Sequence, residues 1–198
     1  MQPEIEAKFL RVDHDLLRAR LRALEATCTS PMRLMKRKNY DFADGRLSAK
    51  HGWARVRDEG DKITLSYKEL HNRKLDGTHE VQVTVDSFAA ADALLQNLGL
   101  ITASYQETKR ESWHLDGCEV ELDQWPWTKP YIEIEGSDES QLYSLATKLQ
   151  LDWSNVVHGS VEIVYRGEYD VTDDQINRIP IITFNEPIPD WLQKRCLP

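Results

Sequence analysis

The sequence is poor in the features that would limit its function at once. Its three cysteines, Cys28, Cys118 and Cys196, are far apart and odd in number. They form neither a disulfide framework nor zinc-finger spacing, and a reducing compartment suits them. No stretch approaches the roughly 18 apolar residues of a membrane span, and the N-terminus enters a Glu-rich strand without an apolar leader. The expectation is a soluble, cytoplasmic protein with no membrane partner. There is no Walker-type loop, no HExxH helix, no serine elbow and no paired zinc ligands, and the histidines (14, 51, 71, 79, 114 and 158) are scattered. A formal net charge of -8 argues against a general nucleic-acid surface, while leaving room for a small basic pocket. The length of 198 residues suits one domain spanning 1–198, with 154–198 as its less regular C-terminal segment.

What is present is alternation. In Glu4-Ile5-Glu6-Ala7-Lys8, a period of two puts Glu4, Glu6 and Lys8 on one face and Ile5, Ala7 and Phe9 on the other. The pattern predicts strands at 2–11, 33–42, 52–58, 62–69, 78–85, 103–114, 117–125 and 130–136. Thr27–Pro31 reads as a break, and 70–77 as a polar loop ending at Asp76-Gly77. Three amphipathic helices are expected. The first covers 14–26 behind an Asp13 cap. The second follows Asp86 or Ser87, carries Ala91, Leu94, Leu95 and Leu98, and ends at Gly99; the third covers 138–150 behind Ser137. Val161–Tyr169 reads as a short helix or an extended piece, followed by a tail punctuated by Pro180, Pro187 and Pro189.

Most strands repeat the inversion of the first. One face is apolar; the other carries Glu4, Glu6, Lys8, Arg55, Arg57, Lys68, Glu80, Lys109, Glu121, Asp123, Glu133 and Glu135. A single charged strand face is ordinarily solvated. Three apolar helical stripes, however, need a surface to cover, and covering the outside of a curved sheet turns the charged faces toward one cavity. The expected fold is therefore α+β, an eight-stranded antiparallel closed barrel with helices packed outside. Both signs of charge in a confined space suit a polyphosphate with divalent ions. Arginine and lysine match phosphate oxygens, and carboxylate pairs such as Glu4/Glu6 and Glu133/Glu135 suit Mg²⁺ or Mn²⁺. Trp53, Trp125, Trp127 and Tyr131 are candidates to stack on a ring attached to the phosphates, with aromatic packing as the alternative.

The sequence resembles the CYTH superfamily, also called triphosphate tunnel metalloenzymes. The resemblance rests on Glu4-Ile5-Glu6-Ala7-Lys8 as the ExExK signature, then Asn39-Tyr40-Asp41, Trp53-Ala54-Arg55-Val56-Arg57 and Leu65-Ser66-Tyr67-Lys68. It continues through Glu80, Lys109-Arg110, Glu121-Leu122-Asp123 and Glu133-Ile134-Glu135. It implies a triphosphate held by Lys8, Arg55, Arg57, Lys68 and either Lys109 or Arg110. It implies Mg²⁺ or Mn²⁺ on Glu4, Glu6, Glu133 and Glu135, with Glu121 and Asp123 close behind, and Glu80 orienting a basic side chain or the attacking group. Gln82 replaces an acidic position of many members, and Ser154–Tyr169 lacks the Lys-Ser-Tyr segment of some. The expected activity is metal-dependent hydrolysis of an inorganic or organic triphosphate, catalysed through Glu4, Glu6, Lys8, Glu80, Arg55 and Arg57. Class IV adenylyl cyclase activity and a non-catalytic polyphosphate- or nucleotide-binding module are the alternatives. The partner is a small-molecule triphosphate, with a homodimer left open.

Overall fold

The computed structural model describes residues 2–72, 74 and 76–197. Of the polar loop expected at 70–77, residues 73 and 75 lie outside the described set. The chain begins with β1 (Gln2–Glu4), β2 (Glu6–Leu10), α1 (His14–Ala23), β3 (Thr27–Phe42), β4 (Gly52–Asp58), β5 (Ile63–Leu70) and β6 (Thr78–Val85). It continues through α2 (Phe88–Asn97), β7 (Leu100–Leu115), β8 (Cys118–Gln124), β9 (Tyr131–Glu135) and α3 (Glu139–Lys148). The C-terminal part holds α4 (Glu162–Arg166), α5 (Asp173–Asn177), β10 (Ile181–Ile182) and α6 (Asp190–Gln193). Among the described residues no helix is long and apolar enough to cross a membrane.

All predicted strands form, in one sheet of order β1-β6-β5-β4-β3-β7-β8-β9-β2. The ladders along this path are antiparallel, and β10 adds a two-residue parallel pairing to β7. The expected closed barrel does not form. The sheet is curled and open, with its edges 9 Å apart. The first predicted strand divides at Ile5: β1 pairs β6, whereas β2 pairs β9, so the edges are joined by chain and not by a ladder. The free side of β2 is instead taken by the C-terminal segment, where Lys8 and Val157 exchange backbone hydrogen bonds of 3.1 and 3.0 Å. That pairing satisfies edge groups that would otherwise invite another strand.

The convex face of β2 and β7–β9 carries Ala7, Phe9, Trp113, Val120, Leu122, Ile132 and Ile134, packed against Leu17 and Leu21 of α1 and Leu142, Leu145 and Ala146 of α3. A second core joins β3 and β4 to α2 through Tyr40, Val56, Ala91 and Leu95. A third seats α4–α6 on Trp125 and Tyr131. Asp13 caps α1 and Ser87 caps α2, and Gly99 closes α2 with φ +92°, as helix-end chemistry predicts.

Several boundaries moved. Asp138, not Ser137, caps α3, accepting the Gln141 amide at 3.0 Å. The proposed break at Thr27–Pro31 is a region of irregular register inside the 16-residue β3; proline at a bulge leaves a strand intact. Val161–Tyr169 contains the short helix α4. The expected stripe of α2 narrows to Ala91 and Leu95, because Leu94 and Leu98 are exposed. Urea titration should accordingly show Leu145→Ala losing about 2–5 kcal/mol of stability. Leu98→Ala should change it by no more than about 0.5 kcal/mol.

Candidate functional site

Antiparallel register arranges the concave face in rows. One row runs Ser112, Glu121, Glu133, Lys8, and the next runs Glu119, Glu135, Glu6. On the other side of the sheet, Asn39, Arg55, Ser66 and Gln82 lie opposite one another in turn, with Trp53, Lys68 and Glu80 in the adjacent row. All of these side chains except Ser66 line a cavity of about 1060 Å³, which also receives Glu4, Arg33, Arg37, Arg57, Arg110 and Tyr131. From the C-terminal segment it takes Ser160, Asn177 and Arg178.

Opposite charges neutralise one another within and across strands. Lys8 Nζ lies 2.6 Å from Glu6 and 3.6 Å from Glu133. Lys68 donates to Glu4 at 2.8 Å and stands 3.2 Å from Glu80, which also accepts from Arg55 at 3.2 Å. Arg57 pairs with Glu59 at 2.6 Å, and Arg110 reaches Glu133 at 3.5 Å. Burial pushes the Glu6 carboxyl up to about 8, with Glu133 adding to the shift against Lys8. Burial acts the same way on Glu133, but Lys8 and the hydrogen bond from Glu6 hold it well below the usual range. Crowding two carboxyls in one buried place thus makes it costly to ionise both at once. Burial, with Glu4 and Glu133 nearby, raises Glu135 to about 7. For Glu80, burial is outweighed by the hydrogen bond from Glu4 and by Lys68 and Arg55, which lower it to about 2.

The residue that sequence reasoning left out of the site is Arg37. It is buried, donates to Thr108 Oγ1 at 2.6 Å and lies 4.7 Å over the Trp125 ring. Among the described residues it has no ion-pair partner, and its Nε is buried without a hydrogen-bond partner. Burial and the neighbouring Arg55, Arg57 and Arg110 all disfavour its charge. Arginine does not deprotonate in proteins, so the cost is expressed as affinity for an anion. The Arg33-Met35-Arg37-Asn39 face of β3 was visible in the sequence, but nothing in it marked Arg37 as buried. Glu59, folded back from the β4–β5 turn, and Glu119 also line the cavity, and neither stands out by composition.

Two expected site residues lie elsewhere. Arg110 faces the cavity, whereas Lys109 projects to the other side, 4.6 Å over the Phe184 ring, beside Glu111, which binds Arg18 of α1. Asp123 is fully buried in a two-point pair with Arg110, behind the cavity wall. Glu4, Glu6, Lys8, Arg55, Arg57, Lys68, Glu80, Glu121, Glu133 and Glu135 all line the cavity. Of the aromatics, Trp53, Trp125 and Tyr131 line it, while Trp127 is turned outward and donates to the Glu186 carbonyl at 2.9 Å.

The CYTH domain model matches residues 2–162. The chain belongs to the CYTH domain family. A protein of Pyrococcus horikoshii OT3 superposes with a TM-score of 0.64 and 20% identity, over 77% of this chain and 93% of its own. A candidate adenylate cyclase of Vibrio parahaemolyticus gives 0.71 and 16%, over 83% and 98%. A candidate adenylyl cyclase of Hippeastrum, described as having a dominant triphosphatase activity, gives 0.60 and 15%, over 90% and 95%. At these identities the likeness is one of fold. No curated protein sequence matches the chain significantly.

CYTH membership implies a divalent metal. The donor chemistry here fits one: Glu4, Glu6, Glu133 and Glu135 carry the carboxylate oxygens a hard divalent cation takes, and burial, with neighbouring carboxylates adding to it, raises Glu6 and Glu135, a cost that a cation would relieve. Among the described residues no three such groups converge as a ready-made cage; in this arrangement Glu4, Glu6 and Glu133 are engaged by lysines. The placement of Arg37 inside the cavity and of Lys109 outside it, in this CYTH domain, is directly testable by calorimetry with tripolyphosphate. Arg37→Met should weaken binding at least ~10-fold, the scale of losing one partner of a buried charge pair. Lys109→Ala should leave it nearly unchanged.

Proposed function

We propose that the cavity binds a nucleoside triphosphate and acts on its phosphoryl groups, with the class IV adenylyl cyclase reaction as the leading reading. The observation that carries the ligand class is the cluster of Arg37, Arg55 and Arg57, in which burial and then repulsion from the neighbouring arginines disfavour the Arg37 and Arg55 cations, inside a cavity of about 1060 Å³. That volume matches sites that bury ligands larger than a bare phosphate chain. The reaction is favoured by the Vibrio parahaemolyticus relative, described as a candidate adenylate cyclase.

In this reading Arg37, Arg55, Arg57, Arg110, Lys8 and Lys68 hold the three phosphates. Glu80 pairs with Arg55 and Lys68 and acts as a positioning residue. Glu4, Glu6, Glu133 and Glu135 would hold Mg²⁺ or Mn²⁺, which supplies charge neutralisation at phosphate oxygens. The ribose 3′-hydroxyl attacks the α-phosphorus and gives its proton to water as the bond from the α-phosphorus to the α,β-bridging oxygen breaks. Pyrophosphate leaves with its new negative charge facing the arginines, the kind of stabilisation that dominates phosphoryl transfer. The second reading is hydrolysis with release of orthophosphate, favoured by the triphosphatase description of the Hippeastrum relative.

Incubation with ATP or tripolyphosphate and Mg²⁺ or Mn²⁺, followed by chromatography, separates the readings. Cyclic AMP and pyrophosphate from ATP are expected; orthophosphate without cyclic AMP transfers the conclusion to hydrolysis. Tight binding without turnover leaves a binding module. The double variant Glu4→Gln/Glu6→Gln should abolish metal-dependent turnover, and unchanged activity would remove both residues from the metal site.

A further inference from the structure

The row between the cationic cluster and Lys68 contains a neutral group that phosphate chemistry does not use. Asn39 Nδ2 donates to Ser104 Oγ at 3.3 Å and Gln106 Oε1 at 3.2 Å, and Gln106 Nε2 donates to the same Ser104 Oγ at 3.1 Å. This pair of amides fixes which way Asn39 points: its Oδ1 faces away from the network, buried and, among the described residues, without a hydrogen-bond partner. Directly across the ladder lies Arg55, and beyond it Ser66, whose buried Oγ also lacks a partner among the described residues. Asn39, Ser104 and Gln106 are uncharged groups lining a cavity otherwise dominated by ions, with Ser66 buried behind its wall.

An acceptor and a phosphate oxygen have nothing to exchange, because both lack a proton. Asn39 Oδ1 therefore serves a donor on the ligand, while Arg55 in the same row serves an anionic oxygen. We propose that Asn39, oriented by Ser104 and Gln106 and faced across Arg55 by Ser66, is a specificity-determining residue that accepts a hydrogen bond from a hydroxyl on the sugar attached to the phosphates. This inference rests on the triphosphate reading above and deepens it. Inorganic tripolyphosphate leaves the acceptor unpaired; a nucleoside triphosphate satisfies it. Desolvated acceptors left unpaired discriminate strongly against ligands that lack the matching donor.

The experiment compares the affinity of the full chain for ATP, 3′-deoxy-ATP, 2′-deoxy-ATP and tripolyphosphate by calorimetry, with circular dichroism to verify folding of each variant. The unsubstituted protein should prefer ATP to tripolyphosphate, and loss of one of the two hydroxyls should reduce binding about 10-fold or more. Asn39→Ala should collapse the ratio of ATP to tripolyphosphate affinity by a similar factor while leaving tripolyphosphate binding within about twofold. Asn39→Asp keeps the acceptor and adds charge, so it should weaken all four ligands yet retain the ratio. The proposal is overturned if Asn39→Ala weakens all four equally, if it weakens none, or if neither hydroxyl matters to the unsubstituted protein. Failure of the unsubstituted protein to bind any of the four overturns the triphosphate reading itself and this inference with it.

Discussion

The constraint on which this molecule depends is the confinement of like charges on the inner face of one curled sheet. Glu6, Glu133 and Glu135 crowd together near the β2 edge, and Arg37, Arg55 and Arg57 crowd together on β3 and β4. Each group would be costly alone in a buried place. Interleaving reduces the cost: Lys8 sits between Glu6 and Glu133, Glu80 between Arg55 and Lys68, and Arg110 among Asp123, Glu121 and Glu133. Such networks stabilise weakly in net terms, since pairing mainly offsets desolvation. Their value here is that the ion pairs can be exchanged for pairs with a ligand at little net cost. Arg37, the cation without a carboxylate partner among the described residues, is where that exchange begins most favourably.

The architecture follows from where the apolar surface is placed. Three core clusters all lie outside the curled sheet or beneath the C-terminal segment, so curvature is held by packing on the convex face. The concave face is then free to be polar. Opening of the sheet at Ile5 has a structural consequence: the free side of β2, which bears Glu6 and Lys8, is paired to Val157. The C-terminal segment thereby becomes part of the cavity wall, contributing Ser160, Asn177 and Arg178.

Most of the fold was legible because a period of two survives wherever one strand face is buried. Inverted alternation in Glu4-Ile5-Glu6 and Glu133-Ile134-Glu135 correctly separated cavity from core. Three things were not legible. Closure depends on which strand takes the free side of β2, and pairing between residues as distant as Lys8 and Val157 leaves no local pattern. The choice between Lys109 and Arg110 turned on parity in a strand whose two faces both carry charge, Glu111 and Lys109 toward α1, Arg110 and Ser112 inward. Arg37 was missed because an arginine on a strand is ordinarily solvated, and only coordinates show it buried beneath Trp125. Residues such as Leu98 were over-read for the opposite reason: a helical stripe marks a face that is able to bury itself, while the sheet beneath decides how much of it does.

The central claim is that the concave face is a preformed polyanion site whose internal ion pairs stand in for a ligand. Its most direct measurement is the denaturant midpoint of the protein against increasing tripolyphosphate, at constant ionic strength, with orthophosphate as the comparison. A ligand that binds only the folded state raises stability logarithmically above its dissociation constant. The account predicts a midpoint that stays flat below the dissociation constant and then climbs logarithmically with tripolyphosphate, and little change with orthophosphate at the same concentrations. Equal, small shifts with both anions would contradict it.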